Sequence, residues 1–197
     1  ITLFLSMIAS TTMEAQQVID VHSHMIPQSY LDYLSENHAL LDEDFPIPSW
    51  NLDEHLKFMD DAGIACSILT LPAPQPWFGD NAESARVIRQ VNEEMAAVKA
   101  QHEGRFLFCA ALPLPDVDAA IREAVYALDT LHADGVKLAS NSRGLYLGDP
   151  ALDPLMEVLN ERGAVIITHP HKPATNNEAL TSVVPLASYE YLAETSR

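Results

Sequence analysis

The sequence predicts an α/β domain with a parallel sheet that is covered by helices on both faces. Short apolar segments alternate five times with amphipathic helical segments. The apolar segments are hydrophobic throughout, which is typical of strands buried on both faces. A doubly wound sheet and a barrel both fit this alternation. No glycine-rich phosphate loop follows the first segment, which argues against a dinucleotide-binding fold.

The strands and helices can be assigned in order along the chain. Strand-like segments occupy residues 18–21, 64–71, 105–112, 135–140 and 164–170. Helices are expected to open at Asn51, Asp80, Asp116 and Asp149, because these side chains can cap a first helical turn. Since parallel strands point the same way, the loops that follow them meet at one mouth, where barrel enzymes place their active sites.

Composition indicates a single globular domain with an acidic surface. The chain has 197 residues, of which 48% are hydrophobic and 20% are charged. Eleven Lys and Arg stand against 28 Asp and Glu, so the formal net charge is -17. This charge disfavours nucleic acid and anionic membranes as partners. Cys66 and Cys109 lie in apolar segments and are interpreted as buried thiols on neighbouring strands, without a disulfide.

The first 15 residues resemble the later part of a secretory signal peptide, with a cleavage point after Ala15. We therefore expect an exported protein, periplasmic or secreted, whose domain occupies residues 16–197. The alternative is an N-terminal strand or helix that packs on the domain, which would favour a cytoplasmic protein. The apolar part of this segment is too short to span a bilayer.

Three histidines mark the candidate metal site. His22 and His24 are separated by one residue, so in a strand their side chains point the same way. His169 ends the fifth strand-like segment. In a barrel the three imidazoles would meet at one point, where three protein ligands could hold a zinc ion with an open water position. Taken singly, a histidine at a strand end is more often a hydrogen-bonded structural residue than a metal ligand.

Lys137 and His171 lie close to the candidate site in the predicted fold. Lys137, near the end of the fourth strand, could be a carbamylated bridge between two metal ions. It could equally be an ordinary lysine that pairs with an acidic loop residue. His171 follows His169 and is interpreted as a loop residue, not as a ligand.

Three quoted segments together resemble a known family: "IDVHSHMIP", "DDAGI" and "GVKLASNSRGLYLGDPALDPLMEVLNERGAVIITHP". They are similar to metal-dependent amidohydrolase-related proteins of the aminocarboxymuconate-semialdehyde decarboxylase type, from Val18 to Pro173. The resemblance implies a (β/α)8 TIM barrel, of which this sequence supplies the first five βα units. It implies a divalent metal, most commonly Zn²⁺, held by His22, His24 and His169. A catalytic histidine and a metal-binding aspartate are expected beyond Arg197.

The composition of the loop after the first strand determines which reaction we expect. The decarboxylase that names the family grips a substrate carboxylate with an arginine from this loop, but residues 25–50 contain no Arg or Lys. We therefore expect a hydrolase that cleaves a C–N or C–O bond with metal-activated water. A non-oxidative decarboxylase and an inactive truncated half-barrel are the alternatives.

Two further residues are candidates for contact with a small-molecule substrate. Arg143 is the best remaining anion-binding residue, or else a surface arginine. Trp77 could line an apolar pocket, or it could only seal a loop onto the rim of the barrel. A homodimer is compatible with the sequence, and no other protein partner is predicted from it.

Overall fold

The computed structural model describes residues 18–42, 45–173, 188 and 190–196. The expectation of a signal peptide at residues 1–15, and of export with it, falls outside the described residues and stays a prediction. Among the helices described, none combines the length and the apolar character that a membrane crossing requires.

Five parallel strands form the main sheet, in the order β1-β4-β5-β6-β9. They are β1 (Val18–His24), β4 (Ile64–Thr70), β5 (Phe106–Ala110), β6 (Gly135–Ala139) and β9 (Ile166–His169). Two short hairpins stand apart from this sheet: β2 (Leu41–Asp42) with β3 (Phe45–Pro46), and β7 (Asn141–Ser142) with β8 (Leu145–Tyr146). The parallel α/β sheet predicted from the sequence is confirmed, and it has the form of a half-barrel.

Helices connect the strands. They are α1 (Gln28–Glu36), α2 (Leu52–Ala62), α3 (Asn81–Gln101), α4 (Val117–Asp129), α5 (Asp153–Glu161) and α6 (Glu190–Glu194). The expected caps form: Asn51 Oδ1 accepts a hydrogen bond from the Glu54 amide at 3.0 Å, and Asp80 caps α3 in the same way. Gly63 ends α2 at φ +68°, a left-handed conformation that glycine adopts without strain.

The core lies between the sheet and the helices on its outer face. Val136 and Leu138 of β6 are buried with Leu152 and Leu155. Because strand side chains alternate, Lys137 between them points to the opposite face of the sheet, the interior of the half-barrel. Strand alternation thus separates a helix-packed core from an interior face that carries polar residues.

Three features differ from the sequence prediction. β1 extends beyond the predicted residues 18–21 to His24, and the two histidines end this strand as expected. Helix α1 was predicted as loop, although Tyr30, Tyr33 and Leu34 give it a buried stripe at helical spacing. A 3₁₀ turn, Pro150–Leu152, precedes α5 where the prediction had one continuous helix.

Candidate metal centre

β1 places two imidazoles side by side on the interior face of the sheet. The rings of His22 and His24 have centroids 5.1 Å apart. Ser23, between them, is buried on the other face, where its Oγ lies 3.2 Å from His55 Nε2. The Asp20 carboxylate accepts a hydrogen bond from the His22 amide at 3.0 Å. The alternation of β1 therefore presents both histidines to one point.

The third histidine comes from the last strand of the sheet. His169 ends β9, and its ring centroid lies 5.1 Å from that of His22 and 5.2 Å from that of His24. One ring nitrogen from each of the three histidines lies within 4.8 Å of the others. The structure thus brings together the three side chains that the sequence singled out.

Protonation in this cluster suits metal binding. Burial, followed by the positive charge of Lys137, lowers the pKa of His24 and of His169 to about 4. Both imidazoles are therefore neutral at pH 7. His169 Nδ1 lies 2.7 Å from the Pro170 carbonyl oxygen, which can only accept, so Nδ1 carries the proton and Nε2 keeps its lone pair. Neutral imidazoles with free nitrogens fit a divalent transition metal.

Lys137 is a cation with no acidic partner in the described part of the chain. It lines a small cavity of about 30 Å³ together with His171. Burial lowers the pKa of Lys137 to about 8. A carbamylated bridge would require a second group of ligands, and the described residues contain only the three-histidine cluster. Pairing with a loop acid is not seen there either.

A largely apolar cavity opens beside the histidines. Its volume is about 520 Å³, and His24 and His169 form part of its wall. The rest of the wall includes Ile26, Phe45, Ile47, Trp50 and Pro72. The Trp50 indole donates to His55 Nδ1 at 3.0 Å, which fixes the ring against helix α2. The signal for this cavity in the sequence is the apolar, proline-rich stretch "FPIPSW", which belongs to the predicted loop of residues 25–50.

A second cavity, of about 460 Å³, is more cationic. Arg143 and Lys172 supply the positive charges in its wall, His171 also lines it, and Asp42 borders both cavities. The Arg143 guanidinium stacks over the Trp77 ring at 5.0 Å and donates to the Trp77 carbonyl at 2.7 Å. Trp77 lines neither of these two cavities, and a substrate contact for it stays a prediction.

Comparison with known proteins gives consistent similarities. A family model described as Amidohydrolase matches residues 19–188. The chain is 36% identical over 189 residues to Decarboxylase yanB of Aspergillus niger, covering 91% of this chain and 51% of that protein. It is 33% identical to 6-methylsalicylic acid decarboxylase acuB of Aspergillus aculeatus, covering 91% and 55%. The chain spans about half the length of the curated relatives it matches.

Comparison with solved structures gives similarities to the same kinds of protein. An amidohydrolase II structure is 33% identical with a TM-score of 0.85, covering 91% of this chain and 58% of that one. The 2,6-dihydroxybenzoate decarboxylase from Rhizobium is 27% identical with a TM-score of 0.72, covering 92% and 59%. A dihydroxybenzoic acid decarboxylase from Polaromonas sp. JS666, solved with bound manganese, shares the fold at 21% identity, with a TM-score of 0.68 and coverage of 89% and 54%.

The expectation of hydrolysis is wrong. The yanB and acuB proteins and the Rhizobium enzyme are all named as decarboxylases. The expectation depended on the lack of basic residues in residues 25–50, but a single loop does not decide the charge of the site. Lys137 and Arg143 reach the same end of the sheet from β6 and from the loop after it, so cations are present without that loop.

Proposed function

We propose that the protein is a metal-dependent non-oxidative decarboxylase of a small aromatic acid. The premise is that this chain belongs to the amidohydrolase family and to its group of aminocarboxymuconate-semialdehyde decarboxylase type. The relatives are about twice as long as the chain. The activity of the whole protein is therefore part of the proposal. An acid and a histidine from later strands remain expected members of the catalytic set.

The observation that supports this function best is the apolar cavity that ends at two of the three histidines. Phe45, Ile47 and Trp50 offer flat or branched apolar surface of the kind that binds an aromatic ring. His24 and His169 lie in the same wall. A ring held between these apolar residues would therefore direct a carboxylate and its neighbouring oxygens towards the imidazoles.

We assign the metal to His22, His24 and His169. When bound, a divalent metal supplies a Lewis acid for substrate oxygens and an anchor for their orientation. Zinc stays our sequence-based prediction, and the manganese-bound relative makes Mn²⁺ the second ion to test. The single cluster among the described residues favours one ion per chain.

The cationic side chains complete the recognition of an anion. Lys137 points to the interior face next to the histidines, and Arg143 lines the adjoining cavity. Two positive charges near the cavity attract a carboxylate to a protein whose net charge is -17. In the reaction the bond between the ring carbon and the carboxylate breaks, the electron pair stays on the ring carbon, that carbon takes a proton, and CO2 leaves.

The reaction can be tested directly with carboxyl-¹³C-labelled 6-methylsalicylate and 2,6-dihydroxybenzoate. Protein loaded with Zn²⁺ or Mn²⁺ should release labelled CO2 and the corresponding phenol, and in D2O one deuterium should appear at the vacated ring carbon. The His169→Ala variant should lose this activity. His102→Ala is the matched control. His102 lies just before β5, at the end of the strands opposite to the three histidines. No labelled CO2 from either acid with either metal would reject the proposal.

A further inference from the structure

The hydroxyl of Thr70 lies between the first metal-binding strand and one of its imidazoles. Thr70 ends β4 and pairs with His24 of β1 in the parallel register. It is 3% exposed. Its Oγ1 lies 3.0 Å from the Ser23 carbonyl oxygen and 2.8 Å from His24 Nδ1. One buried hydroxyl therefore contacts both the backbone and the side chain of the strand that carries the candidate ligands.

Counting protons fixes the direction of both hydrogen bonds. A carbonyl oxygen can only accept, so the single hydroxyl proton of Thr70 is donated to Ser23. The Thr70 oxygen must then accept the second hydrogen bond, and the donor is His24 Nδ1–H. The neutral His24 ring carries one proton, so its Nε2 keeps the lone pair. The same tautomer was derived above for His169 from its bond to the Pro170 carbonyl.

We propose that Thr70 is a positioning residue of the metal centre, which holds His24 in the Nδ1–H tautomer and keeps its Nε2 available to the metal. This inference deepens the proposed function, since it rests on His24 as a ligand. Partners of this kind fix the tautomer and orientation of ligating histidines, and their loss typically weakens metal affinity 10- to 100-fold. Thr70 itself contacts neither metal nor substrate in this arrangement.

The backbone around Thr70 supports the same role. The Met25 amide donates to the Thr70 carbonyl at 3.0 Å, so residues on both sides of His24 are tied to Thr70. Thr70 therefore determines where the His24 backbone lies as well as how its ring is protonated. A residue that only joined two strands would need the backbone bonds and not the contact with Nδ1.

Two substitutions separate the hydroxyl from the shape of the side chain. Thr70→Val keeps the β-branched volume and removes the hydroxyl, and Thr70→Ser keeps the hydroxyl. Affinity for Zn²⁺ and Mn²⁺ is measured by competition with a chromophoric chelator. We expect Thr70→Val to bind both ions about 10- to 100-fold more weakly and Thr70→Ser to stay within about 3-fold of wild type. Circular dichroism and thermal unfolding establish that each variant is folded.

Thr168→Val is the matched control. Thr168 is an exposed strand threonine next to His169, and within the described residues its hydroxyl has no partner. Its substitution should leave both affinities unchanged. A Thr70→Val protein that folds and binds metal as wild type does would overturn the inference, even if decarboxylation is observed. Weakened binding in Thr70→Val without any decarboxylation would support it and reject only the proposed reaction.

The tautomer can be read without metal. Long-range ¹H–¹⁵N spectra of metal-free wild type at pH 7 should show His24 protonated at Nδ1, with Nε2 at the shift of an unprotonated nitrogen. Thr70→Val should shift the population towards the Nε2–H tautomer, whereas a merely structural threonine would leave it unchanged. An Nε2–H tautomer in wild type would contradict the inference outright.

Discussion

The imidazole rings of His22 and His169 lie 5.1 Å apart, although they belong to the two outer strands of the sheet. In a flat sheet β1 and β9 would be separated by four interstrand spacings, about 19 Å. The sheet therefore curls towards its interior face, as the wall of a barrel does. The geometry of the candidate site depends on this curvature, and hence on the helices that pack against the outer face.

One buried side chain on that outer layer should be important for stability. Asn92 of α3 accepts from the Ala111 amide at 2.9 Å and donates to its carbonyl at 3.0 Å, and it also contacts Glu123 at 2.8 Å. Asn92→Ala leaves buried polar groups at the end of β5 unpaired, so we expect a loss of about 2–4 kcal/mol in the free energy of unfolding.

Urea denaturation measures this loss, and Gln90→Ala is the control. Gln90 is exposed on the same helix, so its substitution should change the free energy of unfolding by less than about 0.5 kcal/mol. Equal effects for the two variants would show that the Asn92 hydrogen bonds do not stabilise this layer.

Lys137 should make stability depend on pH. Its pKa falls from an ordinary 10.5 to about 8 because it is buried, so between pH 8 and 10.5 the unfolded state binds a proton that the folded state lacks. Stability therefore rises with pH through this window, and below pH 8 the full cost of burying the charge is present. We expect Lys137→Met to stabilise the metal-free protein at pH 7 by up to about 3 kcal/mol.

The gain should shrink as the pH approaches 10.5. Denaturation of both proteins at pH 7 and pH 9.5 measures the difference, and Lys57→Met controls for the loss of a charge, because Lys57 is exposed on α2. If Lys137→Met is less stable than wild type by the same amount at both pH values, burial of the Lys137 charge does not lower the stability of the folded protein.

Phe45 should affect substrate binding and not metal binding. It lines the apolar cavity and is 63% exposed, so its removal takes away ring contact without disturbing the core. We expect Phe45→Ala to raise KM for the aromatic acid about 5- to 10-fold with unchanged metal content, since burying one aromatic contact contributes on the order of 1 kcal/mol. Phe58→Ala, which removes an exposed ring from α2, should leave KM unchanged. If Phe58→Ala raises KM and Phe45→Ala does not, the substrate does not bind in the apolar cavity.

Much of the fold could be predicted because its signals are local. The caps at Asn51 and Asp80 depend on neighbouring residues, and both occur as expected. Cys66 and Cys109 lie on the neighbouring strands β4 and β5 as expected, but only Cys109 is buried, and Cys66 is half-buried. Helix α1 is not predicted, although its apolar stripe has helical spacing, because residues 25–50 are predicted as one long loop.

The details of the site could not be predicted, because they depend on contacts between distant segments. The bond between His24 and Thr70 joins β1 to β4, and its existence follows only from their register. The reaction was predicted wrongly because the cations near the cavity come from β6 and from the loops after the last two strands. Spacing along the chain gives no information about how those groups meet.

The metal content of the purified protein tests the central claim most directly. Elemental analysis after dialysis against Zn²⁺ or Mn²⁺ should give about one ion per chain for wild type and for His102→Ala, and far less for His169→Ala, which removes the ligand that only sheet curvature brings to His22 and His24. Wild type without bound metal, or a His169→Ala protein with the same metal content, would contradict the proposal that these three imidazoles hold one ion.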